Sequence, residues 1–124
     1  MEYRTLGKDG LKVSLIGLGT MTFGEQNSEA EAHQQLDYAI AHGVNLIDTA
    51  ELYPVPPKPE TYGRTETIIG TWLRKRGQRD DVVLATKVVG PPRRLNQSLH
   101  VRSGFPQLDE TNLTAALHDS LKRL

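Results

Sequence analysis

Apolar positions along the 124 residues follow two rhythms, a short run or alternation and a three-to-four residue spacing, and they change over in a regular order. Tyr3–Leu6 and Leu11–Leu15 flank Gly7, Lys8, Asp9 and Gly10, a turn with two glycines that tolerate positive φ, so residues 2–15 are expected to form a hairpin. Ile16–Gly19 continues as a short strand whose glycines permit close approach of backbone or ligand, and it breaks at the polar Thr20. Ser28 with Glu31 three residues on is a capping box, and Ala32, Leu36, Ala39 and Ile40 recur at helical spacing until Gly43. Val44–Ile47 reads as a buried strand with Asp48 at its exit and Tyr53 in the loop beyond.

Pro54, Pro56, Pro57 and Pro59 exclude helix and central strand from the next segment. A second helix is expected over 64–76, with Ile68, Ile69, Trp72 and Leu73 as its stripe, the basic triplet Arg74–Arg76 suited to its negative end, and Gly77 closing it. Val82–Thr86 is almost wholly apolar, as in a strand covered on both faces, and Lys87 ends it. Residues 88–108 form a loop with Pro91, Pro92, Arg93 and Arg94 near its start and Gly104 and Pro106 near its end. Asp109 then caps a third helix with Leu113, Leu117, Leu121 and Leu124 along one face. After the hairpin, the βα units span about 16–43, 44–77 and 82–124, which predicts an α/β fold with a parallel sheet in a single domain.

Composition narrows the function classes. Fifteen Lys+Arg balance fifteen Asp+Glu, which gives no field for nucleic acid or an anionic membrane surface, and Arg74–Arg76 is better read as helix capping than as a nucleic-acid patch. The absence of cysteine removes thiolate chemistry and fits a reducing compartment. The polar start MEYRTLGKDG does not resemble a signal peptide, and no apolar run approaches the ~20 residues of a membrane span, so a cytoplasmic chain is expected. The four histidines are scattered without metal-ligand spacing. Gly17, Gly19 and Gly24 do not make a dinucleotide fingerprint, because Thr22 stands where its third glycine belongs. The sequons at Asn96 and Asn112 lack a secretory context.

Thr20, Asp48 and Lys87 are each the first polar residue after an expected strand, and a parallel sheet brings such residues to one mouth. A phenol is a weak acid near neutrality. A neighbouring ammonium stabilises its phenolate, and a carboxylate can hold that ammonium in place. Tyr53, Lys87 and Asp48 fit those roles. The alternative is a structural Asp48–Lys87 ion pair with Tyr53 as a surface aromatic.

The hairpin together with GLGTMTFG at 17–24, NLIDTAELY at 45–53, GRTETIIGTWL at 63–73 and LATKV at 84–88 resembles the aldo-keto reductases, in particular a bacterial branch with a similar proline-rich loop after the tyrosine. The resemblance covers all 124 residues. It implies a (β/α)8 TIM barrel of the NADP-dependent oxidoreductase type that binds NADPH across its C-terminal mouth and reduces an aldehyde or ketone by hydride transfer. It implies Tyr53 as proton donor with Lys87 and Asp48 as its supporting pair, Thr20 and Met21 in the loop facing the nicotinamide end, and Asp48 at the nicotinamide ribose. Phe23 is a candidate for lining the substrate pocket, with plain packing as the alternative.

The family's catalytic histidine, which follows the fourth barrel strand, has no counterpart in this sequence; nor does the segment that grips the 2'-phosphate. The chain is about half the ~250 residues of a full barrel, so a longer natural polypeptide, or an isolated chain without activity, is expected. The competing function from another class is a nucleotide-sensing or regulatory subunit on the same fold. Retention of Asp48, Tyr53 and Lys87 argues against it.

Overall fold

The computed structural model describes residues 1–8, 10–92, 100–102 and 104–124. Asp9 of the expected turn, Arg93, Arg94 and the Asn96 sequon lie outside the described residues. Tyr3–Leu6 (β1) and Leu11–Ser14 (β2) form the antiparallel hairpin, in register from Tyr3 opposite Ser14 to Leu6 opposite Leu11. Gly17–Gly19 (β3), Leu46–Asp48 (β4) and Val83–Ala85 (β5) form a parallel sheet with β4 central. Glu29–Ala41 (α1) and Arg64–Arg76 (α2) are the crossovers, and Glu110–Arg123 (α3) follows β5. This is the arrangement of three βα units preceded by a hairpin.

Local signals set the helix ends as expected. The Ser28 hydroxyl accepts from the Glu31 amide while the Glu31 carboxylate accepts from the Ser28 amide, so both arms of the capping box are made. Gly77 adopts φ 67°, and its N–H closes on the Leu73 carbonyl. Arg76 at the end of α2 pairs with Asp81 and lies 5.4 Å from the Trp72 ring centroid, which gives part of the basic triplet a local packing role.

Register divides the sheet into two faces. Leu18, Ile47 and Leu84 lie side by side toward the helices, where Ala32 and Leu36 of α1 meet Ile68, Ile69, Trp72 and Leu73 of α2. Gly19, Asp48 and Ala85 alternate to the opposite face. Asp48 is therefore the last residue of β4, not the first after it. Val83 is half-buried and Ala85 exposed. The apolar run at 82–86 thus has one covered face, not two, because the packed helices lie on one side of the sheet.

The third helix corrects a second expectation. Its buried residues are Ala116 and Ser120, whereas Leu113, Leu117 and Leu121 are 42%, 55% and 63% exposed. The helix is turned by its seat on α2: at Gly70 a Cβ would stand 1.8 Å from the Arg123 carbonyl oxygen, so the backbones meet where a side chain is missing. Arg123 reaches from there to Glu66, and Leu124 alone of the predicted leucine face packs against the core.

The hairpin is stitched to the entry of β4. Ser14 N–H donates to Asn45 Oδ1, the Asn45 amide donates to Ser14 Oγ, and Asn45 Nδ2 donates to the Lys12 carbonyl. It thus covers the end of the sheet opposite to Asp48.

Replacing Leu36, fully buried between the helices, by alanine is expected to cost about 2–5 kcal/mol. Leu121→Ala is expected to stay within about 0.5 kcal/mol. Urea denaturation of the two variants checks the division of faces, and comparable losses would contradict it.

Candidate active site

The parallel ladder continues past the strands into the loops. Thr20 N–H and Oγ1 both donate to the Asp48 carbonyl, at 3.2 and 2.8 Å. Thr49 N–H donates to the Ala85 carbonyl at 2.8 Å, and Glu51 N–H to the Lys87 carbonyl at 3.1 Å. Val55 N–H donates to the Met21 carbonyl, which ties the tyrosine loop to the loop after β3.

On this frame three of the predicted residues meet. Lys87 Nζ donates to both carboxylate oxygens of Asp48 at 2.8 Å and to the Thr49 carbonyl at 2.6 Å. The same nitrogen lies 5.0 Å from the centroid of the Tyr53 ring. The Asp48 and Lys87 side chains are 48% and 47% exposed, so the ion pair contributes at most about 1 kcal/mol to stability. An ammonium over an aromatic face at such a site adds a similar amount. The cluster is open to a ligand and is a weak element of the fold.

The other predicted residues are placed differently. Thr20 has no exposed surface, and its hydroxyl is spent on the Asp48 carbonyl, so its side chain offers nothing to a cofactor in this arrangement. Met21 beside it is 51% exposed at the same edge. Phe23 has no exposed surface and belongs to the core with Leu36 and Ile68. Packing is the role the structure gives it, because the chain turns back after Thr20 and drives the ring beneath the sheet. As for a nicotinamide cofactor, the half-exposed Asp48 carboxylate and the adjoining Met21 fit one edge of a polar, ring-bearing group, whereas Thr20, buried and with its amide, carbonyl and hydroxyl all bonded within the chain, does not reach it.

Beneath this cluster lie two fully buried carboxylates that sequence reasoning did not single out. Glu51 accepts from Arg102 through both oxygens at 2.8 and 3.0 Å, from the Val89 amide at 2.7 Å and from the Tyr62 hydroxyl at 3.0 Å. Glu66 accepts from Arg123 Nε and from the Thr86 hydroxyl, each at 2.6 Å. Arg102 also donates from Nε to Asn112, whose own amide bonds Asp109 at the start of α3. The one available signal was the presence of acids inside otherwise apolar or helical motifs. Their basic partners lie 51 and 57 residues away, beyond any local pattern.

Burial pushes the Glu51 carboxyl up, but the hydrogen bonds from Arg102, Val89 and Tyr62 outweigh it and hold the group below its ordinary 4.5. Burial, reinforced by the Glu51 charge, pushes the Tyr62 phenol up to about 12. Tyr62 is thus a fixed hydrogen-bond donor, and of the two loop tyrosines Tyr53 is the one that stands beside an ammonium. Of the histidines, His33 bonds Ile68 and Thr71, His42 bonds the Tyr38 carbonyl, and the His100 ring meets Tyr62 edge-on with its Nε2 buried and without a hydrogen-bond partner. Among the described residues no group of three acidic or histidine side chains is placed to hold a metal ion. No helix among them is long and apolar enough to cross a membrane.

A hairpin followed by three parallel βα units, with polar residues gathered at the strand C-termini, is the arrangement of the first part of a (β/α)8 barrel. Residues 15–124 match the Aldo/keto reductase family, and the chain belongs to that family. It is 56% identical over all its 124 residues to Protein tas of Escherichia coli (strain K12), of which it covers 35%. It is 41% identical over 125 aligned positions to the uncharacterized oxidoreductase YrpG of Bacillus subtilis (strain 168), of which it covers 36%. Among solved structures, the holo form of aldo-keto reductase AKR11C1 from Bacillus halodurans matches with a TM-score of 0.75 and 32% identity, over 100% of this chain and 36% of that one. The chain therefore spans about a third of the length of these relatives. Members of the family are oxidoreductases that act on carbonyl substrates and generally use NAD(P)H.

Because the folded-state pKa of Glu51 is depressed, the unfolded chain binds the proton more readily. The stability this group supplies is present above pH 4.5 and is lost as pH falls through the lower folded value. Glu51→Gln is expected to cost about 3 kcal/mol near neutrality, since it leaves a buried Arg102 without its counter-charge. Denaturant titrations at several pH values check this: the gap between the variant and the unsubstituted chain should narrow below pH 4.5, and a gap independent of pH would contradict the assignment.

Proposed function

We propose that this chain carries the catalytic edge of an NADPH-dependent reductase of aldehydes or ketones, with Tyr53 as proton donor. The observation that carries the proposal is the position of Lys87 Nζ, held by both oxygens of Asp48 and lying 5.0 Å from the Tyr53 ring centroid. When bound, the reduced nicotinamide supplies a hydride to the carbonyl carbon. The residues of this chain manage the proton. A carbonyl oxygen placed beside the Tyr53 hydroxyl gains negative charge during reduction and takes the phenolic proton, and the Lys87 ammonium stabilises the phenolate left behind. Asp48 keeps the ammonium at that spot, and its remaining lone pairs are open to a ribose hydroxyl.

NADPH rather than NADH, and a cytoplasmic setting, rest on the family resemblance and the cysteine-free composition. None of the four histidines is assigned to the reaction, since His33 and His42 have hydrogen-bond partners elsewhere, His100 packs edge-on against Tyr62, and His118 is exposed on α3. Turnover is accordingly proposed for a complete barrel that includes these residues. For the isolated 124 residues no turnover is proposed.

In such a barrel, Tyr53→Phe is expected to lower kcat by about 10²–10⁴-fold while KM for NADPH changes little. Following NADPH oxidation with a panel of aldehydes and ketones checks this. Undiminished turnover by the phenylalanine variant would remove Tyr53 from the reaction.

A further inference from the structure

Lys87 is long, flexible and half exposed, yet its role requires one position. Asp48 and Thr49 hold the ammonium end, but something must fix the backbone from which it departs. The loop after β5 lies beyond the strand pairs; its Thr86 hydroxyl goes to Glu66, and the backbone on either side of Val88 is tied to Glu51. Glu51 donates its N–H to the Lys87 carbonyl, and its carboxylate accepts the Val89 N–H two residues on. The same side chain has no exposed surface and is fastened by the two-pronged contact from Arg102 and by Tyr62. Arg102 closes the clamp from the far side, with Nη2 also 3.4 Å from the Val89 carbonyl and Nε on Asn112. Glu51 stands between Asp48 and Tyr53 in sequence, so the residue that grips the lysine's loop belongs to the segment that supplies the other two side chains.

We propose that Glu51, locked by Arg102, is a positioning residue that holds the loop of Lys87 in register with the segment bearing Asp48 and Tyr53. A buried carboxylate is expensive unless fully bonded, and this one is bonded at both oxygens, so it behaves as a rigid bracket. The alternative is that it merely closes the space above α3. That alternative leaves Lys87 indifferent to the loss of the charge. The proposal deepens the catalytic assignment and rests on it for its consequence, but its test needs no turnover.

The test uses the uniformly ¹⁵N-labelled chain, reading the Lys87 ammonium resonance and the backbone amides by NMR and assigning the ammonium by its loss in Lys87→Arg. In the unsubstituted chain the ammonium, with three acceptors, should give a distinct, slowly exchanging signal. In Glu51→Gln its exchange with water should accelerate about tenfold or more, the loss of one charge-assisted bond being worth at least that factor, and the Val89 amide should lose protection. The amides of Leu36 and Ile69 should keep theirs, which marks the change as local. An unaltered Lys87 signal in the variant overturns the proposal whether or not Val89 is freed, as does the absence of a distinct signal in the unsubstituted chain. Should Glu51→Gln not fold, Arg102→Lys, which keeps the charge but loses the planar fork, carries the same readouts: faster Lys87 exchange supports the bracket and unchanged exchange overturns it. Failure of Tyr53→Phe to slow turnover would strike the catalytic assignment and leave these signals as they are.

Discussion

The constraint on which the rest depends is the register of three short parallel strands. Leu18, Ile47 and Leu84 share one face and bury it against α1 and α2, and this forces the next residue of β4, Asp48, onto the other face. A slip of one residue would bury the carboxylate and expose Ile47, so the apolar pattern that makes the core also aims the site. Loops inherit that register, since Thr49 and Glu51 continue to pair with Ala85 and Lys87 beyond the last strand residues.

Charge is distributed by burial. Glu51 and Glu66 have no exposed surface, and each is held by an arginine and by at least one further donor. Asp48 and Lys87 are half exposed and pair with each other at the mouth. Desolvation makes the buried pairs costly to break and of little use to a ligand, whereas the exposed pair costs little to rearrange and is reachable. Two carboxylates three residues apart, Asp48 and Glu51, thus take opposite roles because one faces the mouth and the other the interior.

Much of this was legible in the sequence because it rests on local signals. The capping box at Ser28, the stripe of Ile68, Ile69, Trp72 and Leu73, and the placement of Asp48 and Lys87 near strand C-termini follow from spacings of two to four residues, although β5 ends at Ala85, two residues before Lys87; the structure brings those two side chains together with Tyr53. What escaped was long-range. The partners of Glu51 and Glu66 are Arg102 and Arg123, and no local spacing announces either pair. The leucines of α3 misled because a four-residue stripe shows that a helix has an apolar face but not what that face meets. Gly70 and the Arg123–Glu66 bond turned Ala116 and Ser120 inward instead.

Thr20 shows how a residue at the right edge can serve the site without touching a ligand. Its amide and its hydroxyl both end on the carbonyl oxygen of Asp48, while the carboxylate of the same residue is taken by Lys87. Asp48 is therefore held at both ends, its backbone by the loop after β3 and its side chain by the loop after β5. A carboxylate left to rotate would present several positions to the lysine, and the lysine several to Tyr53. With the backbone of Asp48 pinned by a fully buried threonine, the geometry passes from β3 through β4 to β5 without relying on the strength of the exposed ion pair, which at that exposure is too weak to impose it.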